Sequence, residues 1–399
     1  MATSFETAIT KAVEDGIVAG AAVAAVSKNA GETLYAKAFG NRVLGDSTKP
    51  MGLDSVAWLA SCSKISTSIA AMQCVERGLL SLDEPISKVL TEWSNPDIVT
   101  AIDEGGKPAL KKATKAITLR HLLSHSSGLS YAFMSPLTMQ YFQATGIDLN
   151  IFKRAIKDSL VYPLVFEPGE GWEYSTAIDW AGQAVERVNG GIKLGEYLKK
   201  NVFEPVGVKA TTFQMDHPNI KDKLLGRTFR PTPEAKAVTD APDVGMYFTQ
   251  QPADDFGGAG LFSSAEDYIK ILRSLLVDDG VLLKPESVRE LFAPQLPDGK
   301  YIAEKMDNPQ SAAFLAPSYG AGHKWNHGLG GALAVEGIEG RLSPGSLQWA
   351  GLPNSYWWVD RKRGVAGVYI AELYPPADPL TQQLFAQFQK DAYALAGTA

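Results

Sequence analysis

A serine and a lysine three positions apart are the first candidates for chemistry in this chain. Ser61 and Lys64 form its only Ser-x-x-Lys, inside Trp58-Leu59-Ala60-Ser61-Cys62-Ser63-Lys64-Ile65, where a strand-like run gives way to a helical pattern. Residues three apart on a helix share a face, so the Lys64 amine can reach the Ser61 hydroxyl. Burial lowers the pKa of a lysine amine and lets it act as a base. The pair therefore predicts a serine nucleophile that a substrate carbonyl acylates.

The residues around this pair support the interpretation. About one Ser-x-x-Lys is expected by chance in a chain of this size, so the spacing alone is weak evidence. Ile65, Ile69 and Met72 form an apolar helix face after the serine, and Gly78 ends the helical pattern. The sequence thus places Ser61 at the start of a helix.

A turn-rich segment presents a tyrosine that can take part in proton transfer. Tyr174 follows the glycines of Glu167-Pro168-Gly169-Glu170-Gly171-Trp172-Glu173 and precedes a helical run that contains Trp180 and Val185. Its hydroxyl can exchange a proton with Ser61. An aromatic residue after such a turn more often packs into the core, so both interpretations stay open on the residues alone.

A third candidate segment is Gly345-Ser346-Leu347-Gln348-Trp349-Ala350-Gly351-Leu352-Pro353-Asn354, close to the C-terminal end. An edge strand with glycine beside a cleft can direct a backbone N–H group at a developing oxyanion, and the glycine lets a substrate approach closely. The alternative is a strand end followed by an ordinary turn.

Other kinds of site find little support in the sequence. The five histidines have no metal-ligand spacing with Cys or Glu, so we expect no metal, and His121 and His125 are expected to be structural. Neither a Gly-x-Ser-x-Gly elbow nor a phosphate-binding glycine loop occurs, and no cofactor is implied. The net charge of -6 is spread along the chain, which excludes a basic stripe for nucleic acid or anionic membrane and leaves a small molecule as the expected partner.

The elements that must position these residues fall into three groups. An apolar helical pattern with Phe5, Ile9 and Val13 opens the chain, and a second one, Pro379 to Ala396, closes it. Strand-like runs lie near both ends: Ala21 to Ser27, Glu32 to Phe39, Ala332 to Val335, Ser346 to Trp349, Ser355 to Val359 and Val365 to Ala371, the first two joined by the turn Lys28-Asn29-Ala30-Gly31. Helical runs and long Pro/Gly-rich loops fill the middle: Ile65 to Arg77, Leu119 to Leu123, Ala177 to Val188, Leu194 to Val202 and Ala265 to Leu276.

This order predicts an α/β (α+β) fold in which both termini build one antiparallel sheet flanked by helices. Residues 1–64 and 319–399 form the sheet domain, residues 65–318 form a large, mostly helical insertion, and the active site lies at their junction. Cys62 and Cys74 are too far apart on one helix for a disulfide. We see no signal peptide and no membrane-spanning run, and expect a cytoplasmic protein.

Taken together, these segments resemble the serine β-lactamase and penicillin-binding-protein superfamily, with its Ser-x-x-Lys, central Tyr-x-Asn or equivalent, and C-terminal Lys-Thr-Gly or Trp-x-Gly. The closer similarity is to the esterase and transesterase branch, meaning the family VIII carboxylesterases and the fungal acyltransferases that act on statin precursors. It covers nearly the whole chain and also rests on Gln73 to Leu79, Ile117 to Tyr131, Asp179 to Gly182, Gly257 to Ser264 and Gly351 to Asn354.

The resemblance implies a role for each of the candidate residues. Ser61 would be the nucleophile, Lys64 and Tyr174 the proton-transfer pair, and the backbone N–H groups of Ser61 and Leu352 the oxyanion hole. Substrate-pocket residues would include Trp349, Gly351 and Tyr131. The partners would be a small ester or acyl thioester as donor and water, an alcohol or an amine as acceptor.

Two departures from the β-lactamase pattern bear on the substrate. Thr176 stands where those enzymes carry Asn, and Trp349-Ala350-Gly351 replaces Lys-Thr-Gly. Loss of the lysine charge favours an uncharged, apolar substrate group and an esterase or acyltransferase. A β-lactamase or D-amino peptidase and a non-catalytic binding protein on the same fold remain as alternatives.

Overall fold

The computed structural model describes residues 3–28, 33–242 and 251–398 of the chain. Its strands are β1 (Gly20–Ser27), β2 (Thr33–Gly40), β3 (Val56–Trp58), β4 (Asp97–Ile102), β5 (Pro108–Lys112), β6 (Thr228–Phe229), β7 (Thr239–Asp240), β8 (Phe262–Ser264), β9 (Trp325–His327), β10 (Ala332–Ala334), β11 (Leu347–Gly351), β12 (Ser355–Asp360), β13 (Val365–Ile370) and β14 (Leu373–Tyr374). Its α-helices are α1 (Ser4–Glu14), α2 (Lys64–Glu76), α3 (Leu119–Leu123), α4 (Pro136–Thr145), α5 (Ile156–Ser159), α6 (Ala177–Val188), α7 (Leu194–Leu198), α8 (Ala265–Val277), α9 (Pro285–Leu291), α10 (Lys300–Met306), α11 (Pro309–Leu315) and α12 (Pro379–Leu395).

Both ends of the chain build one seven-stranded antiparallel sheet, as predicted. Its strand order is β2-β1-β13-β12-β11-β10-β9, and Val23 of β1 lies opposite Tyr369 of β13. β1 is buried along nearly its whole length because helices cover both faces, which explains its unbroken Ala/Val run. Residues 29–32, which hold most of the predicted turn and the start of the second predicted strand, lie outside the described residues.

The terminal helices and α8 cover this sheet. α1 and α12 pack against each other, with the Phe5 and Phe388 rings 5.3 Å apart, and α12 also contacts β13. The Asp378 side chain accepts from the Thr381 N–H and caps α12, and Pro379 is its first residue. α8 packs against β1, β12 and β13. This helix belongs to residues 65–318, the predicted insertion, but it packs against the sheet that the two ends of the chain form. The division of the chain into two domains stays a prediction.

The middle of the chain, predicted to be mostly helical, also holds strands, of which β6, β7 and β8 are only two or three residues long. β4 and β5 form a separate antiparallel hairpin that the sequence did not reveal, because β5 is exposed and lacks an apolar alternation. The predicted helix Leu194 to Val202 is α7 followed by a π-helical turn at Lys199–Phe203.

One expectation about the third candidate segment is wrong. β11 is not an edge strand, because it lies between β10 and β12. Its ladder with β10, however, covers only Leu347 and Gln348, whereas its ladder with β12 runs to Gly351. The stretch from Trp349 to Gly351 thus has β12 on one side, and the turn at Ala60–Ser63, which carries Ser61, contacts β11 as well.

Two further sequence expectations concern cysteines and membrane segments. Cys62 and Cys74 are both free thiols and both buried, in agreement with the prediction that they do not form a disulfide. Among the described residues, no helix has the length and apolar character needed to cross a bilayer.

Candidate active site

A short turn between β3 and α2 carries the predicted nucleophile. β3 pairs with β8, and a 3₁₀ turn at Ala60–Ser63 then runs directly into α2. Ala60, just before the serine, has a φ of 44°, a left-handed backbone conformation that is unusual for a residue with a side chain. Ser61 is partly exposed, whereas its neighbours Ala60 and Cys62 are buried. The turn therefore presents the serine hydroxyl at the edge of the core.

Lys64, the first residue of α2, lies beside this hydroxyl. Its Nζ is 3.1 Å from Ser61 Oγ, donates to the Gly258 carbonyl at 2.7 Å, and is 3.4 Å from Tyr131 Oη. The side chain is 2 % exposed. Burial lowers the pKa of Lys64 to about 7, against the opposing effect of Asp179. At neutral pH a substantial share of the amine is thus unprotonated and can accept the serine proton.

Tyr174 reaches the same hydroxyl from the opposite loop. Its Oη donates a short hydrogen bond to Ser61 Oγ, and Lys64 Nζ lies 4.7 Å from its ring centroid. The backbone bond from Tyr131 N–H to the Tyr174 carbonyl, 3.0 Å, fixes this loop. Burial raises the pKa of Tyr174 above its usual value, so the free site holds it as a neutral hydroxyl.

The end of β11 closes the site on a third side. A Cβ on Gly351 would lie 2.3 Å from the Leu59 carbonyl oxygen, so only glycine lets this strand approach the serine turn so closely. Leu352 follows and packs on the cluster that contains Trp58 and Ala60. The two backbone segments that carry the predicted oxyanion donors, Ser61 and Leu352, therefore lie against each other.

Two of the predicted pocket residues contact Lys64 and Tyr174, the predicted proton-transfer pair. Trp349 lies with its ring centroid 5.2 Å from that of Tyr174, and its indole lowers the pKa of Tyr174 against the larger effect of burial. Tyr131 contacts Lys64 Nζ, as given above. The two predicted pocket residues therefore pack directly against Lys64 and Tyr174, the predicted proton-transfer pair.

Apolar side chains border the opening of the site. Phe133 is 58 % exposed and stacks on Tyr131, with ring centroids 5.0 Å apart. Phe314 of α11 meets Phe133 edge to face at 6.0 Å and lies 6.1 Å from Tyr174. A narrow cleft with room for about one water molecule lies between Phe314 and the Ala350-Gly351 end of β11. The border of the site is therefore apolar.

Sequence reasoning assigned no role to Asp179 and Gly258, although both lie in segments of the family resemblance. Asp179 is 1 % exposed, and its Oδ1 accepts from the Gly258 N–H at 2.8 Å. Asp179 and Gly258 are 79 positions apart, so no local pattern relates them. Their membership of these segments was the only signal that the sequence offered.

The structural role predicted for His121 is confirmed, and His125 also lies in a packed environment. His121 and Thr118 form a reciprocal cap at the start of α3. The His125 ring lies 5.0 Å from that of Tyr174 and 5.3 Å from that of His327. Burial lowers the pKa of both His125 and His327, so these rings are neutral at neutral pH. Among the described residues, no group of three or more His, Cys, Asp or Glu side chains is arranged to hold a metal ion.

Comparison with known proteins places this geometry in a family. The β-lactamase family model matches residues 5–390. The chain belongs to the β-lactamase family. Its relatives include the ML-236A carboxylate methylbutanoyltransferase mlcH of Penicillium citrinum, 34% identical over 99% of this chain and 94% of that protein. The lovastatin esterase of Penicillium rubens is 36% identical over 97% of both proteins.

Solved structures give the same assignment within the β-lactamase family. A mutant of the simvastatin synthase LovD from Aspergillus terreus superimposes with a TM-score of 0.90 at 34% identity, covering 99% of this chain and 95% of that one. The predicted fold and the predicted branch, esterases and acyltransferases, are confirmed, and the chain is an enzyme of that class. The roles of individual residues stay predictions.

The contact between β11 and the serine turn gives a testable expectation. Gly351→Ala forces the strand or the turn to shift and should lower kcat/KM for an ester by roughly a hundredfold, the typical loss when an oxyanion donor is misplaced. Gly337→Ala is the matched control, since a Cβ there meets its nearest atom at 3.5 Å. Steady-state kinetics on both variants checks this, and full activity of Gly351→Ala would contradict it.

Proposed function

We propose that this enzyme transfers acyl groups from carboxylic esters or thioesters through an ester formed on Ser61. The observation that carries the proposal is the pair of contacts at Ser61 Oγ, to the buried Lys64 amine at 3.1 Å and to the Tyr174 hydroxyl. A serine flanked by a base and a proton donor in a partly desolvated site is the arrangement expected for nucleophilic catalysis.

Acylation begins with transfer of the Ser61 proton to Lys64 Nζ while Oγ bonds to the substrate carbonyl carbon. The carbonyl oxygen becomes an oxyanion, which the backbone N–H groups of Ser61 and Leu352 stabilise. The intermediate then expels the leaving alkoxide or thiolate, which takes a proton from the Tyr174 hydroxyl, and Lys64 returns its proton to Tyr174. The products are the acyl-Ser61 ester and a free alcohol or thiol.

Deacylation repeats these steps with a second nucleophile. Water, an alcohol or an amine gives a proton to the Lys64 and Tyr174 pair and attacks the acyl carbon, and Ser61 leaves with a proton from the same pair. Water as nucleophile makes the enzyme an esterase, and an alcohol or amine makes it an acyltransferase.

The polar groups around the site favour an ester over a β-lactam. The Thr176 hydroxyl is hydrogen-bonded to Tyr162 Oη at 2.9 Å, so it is engaged in the protein rather than presented to an amide. Trp349 brings a neutral indole where a lysine charge would bind a lactam carboxylate. Together with the apolar opening at Phe133 and Phe314, these groups support an uncharged acyl donor.

Acceptor dependence separates the two forms of the reaction. With a p-nitrophenyl ester we expect a burst of about one nitrophenol per enzyme, an acyl adduct in the intact-protein mass, and faster steady-state release when an alcohol is added. Rates that do not respond to a series of alcohols and amines would favour the esterase. Absence of both burst and adduct across short and medium acyl chains would contradict the acyl-enzyme itself.

A further inference from the structure

A continuous hydrogen-bonded path links the Lys64 amine to a buried carboxylate. Lys64 Nζ donates to the Gly258 carbonyl at 2.7 Å, and the N–H of the same glycine donates to Asp179 Oδ1 at 2.8 Å. Lys64 and Asp179 are 2 % and 1 % exposed. Gly258 thus contacts the Lys64 amine through its carbonyl oxygen and the Asp179 carboxylate through its N–H group.

The close fit of Gly258 shows that this link is built into the fold. A Cβ at this position would lie 2.7 Å from Asp179 Oδ2 and 3.1 Å from Oδ1. Any side chain there would displace the carboxylate or the backbone that carries the Lys64 acceptor. Asp179 is held in turn as the third residue of α6, whose N-terminal end favours a negative charge.

Asp179 is the one anion that faces Lys64 at neutral pH among the described residues. The other titratable groups around the amine are Cys62, Tyr131, Tyr174, His125 and His327. Burial raises the pKa of the thiol and of both tyrosines and lowers the pKa of both histidines, so all five are neutral. Tyr162 also lies near Asp179, and burial raises its pKa as well.

We propose that Asp179 is a positioning residue: acting through Gly258, it holds the Lys64 amine against Ser61 and offsets the positive charge that Lys64 gains when it takes the serine proton. This inference rests on the proposed function, in which Ser61 is acylated. Charge on Lys64 grows during acylation, so an anion fixed nearby in a desolvated site stabilises the transition state more than the free enzyme.

The pH profile of Asp179→Asn tests the electrostatic part. Asparagine keeps an oxygen for the Gly258 N–H but removes the charge. An opposite charge close to an amine raises its pKa, so its loss should move the acid limb of kcat/KM to lower pH by roughly one unit. The plateau should fall roughly tenfold or more, because the charged Lys64 loses its partner.

A second buried aspartate offers a matched control. Asp267 is also the third residue of a helix, α8, is 3 % exposed, and accepts backbone N–H groups from Lys209 and Ala210. Asp267→Asn removes the same chemical group from the same helix position without touching Lys64. We expect it to affect thermal stability and to leave the acid limb in place. The same shift in both variants would overturn the inference.

A stability measurement tests the pair without using activity. Removing the cation in Lys64→Met leaves Asp179 buried alone, with a folded-state pKa above its unfolded value because burial raises it. Such a group stabilises below its unfolded pKa and loses that contribution as pH rises through the folded pKa. The Tm of Lys64→Met should therefore fall as pH rises above about 4 and through the raised folded-state pKa of Asp179. The Lys64 charge lowers this pKa in the wild type, so the fall should extend to higher pH in Lys64→Met than in the wild type, and Lys64→Met/Asp179→Asn should lack it.

The outcomes separate the inference from the proposed function. If the wild type forms the Ser61 adduct but Asp179→Asn keeps the wild-type acid limb, the inference fails and the function stands. If the wild type forms no adduct, the proposed function fails, and the two Tm profiles still decide whether Asp179 and Lys64 interact. An Asp179-dependent fall of Tm that covers the same pH range in the wild type and in Lys64→Met would overturn the pairing. If Asp179→Asn does not fold, the wild type and Lys64→Met are compared directly.

Discussion

Ser61→Ala should lower kcat/KM for a p-nitrophenyl ester by at least about 10⁴-fold and abolish the acyl adduct, because the variant retains the base but has no atom to acylate. Lys64 and Tyr174 each contact Ser61 Oγ. The variant removes that one atom, and we expect both side chains to remain in place. Intact-protein mass after incubation with the ester, together with the nitrophenol burst, measures the effect.

A second serine on the same helix is the control for this experiment. Ser66 is completely buried in α2, and its hydroxyl has no hydrogen-bond partner among the described residues. Ser66→Ala therefore removes a hydroxyl close to the site without breaking a bond, and we expect wild-type kinetics and unchanged or higher stability. An adduct that persists in Ser61→Ala would place the nucleophile elsewhere and contradict the mechanism.

Much of the fold could be predicted because its periodic patterns are strong and local. The helix predicted at Ala177 to Val188 has those bounds in the structure, and α3 agrees with its predicted bounds as well. The joint sheet was predicted from apolar runs at both termini. The pairing of β1 with β13, which lie near opposite ends of the sequence, confirms it. The hairpin of β4 and β5 was missed because β5 is exposed and the buried residues of β4, Ile98 and Val99, are adjacent rather than alternating.

The candidate site was only partly predictable for a different reason. Ser61 and Lys64 are close in sequence, so helix geometry alone brings them together. Tyr174, Asp179 and Gly258 reach them by tertiary packing, for which the residues provide no local pattern. Family resemblance supplied Tyr174, and the structure was needed to connect Asp179 to Lys64 through a glycine backbone.

Trp349 bears on both the proposed substrate and the proposed proton relay. From the sequence, its indole was expected to make the pocket apolar. In the structure the indole packs against the Tyr174 ring and lowers the pKa of Tyr174 against the larger effect of burial. In the proposed mechanism, the neutral indole can stabilise a transient phenolate on Tyr174 without adding a cation, so Lys64 is the titrating cation beside the tyrosine.

This arrangement makes the role of Lys64 measurable by pH. Lys64→Met should lower kcat/KM roughly 10³-fold, within the usual range for loss of a general base. Burial lowers the pKa of Lys64 to about 7, so wild-type activity should rise with pH through that region as the amine loses its proton, and the variant should lack this limb. Lys270→Met, which removes a partly exposed lysine paired with Asp267, is the control and should keep the limb. If Lys64→Met retained both rate and limb, Tyr174 or another group would have to be the base.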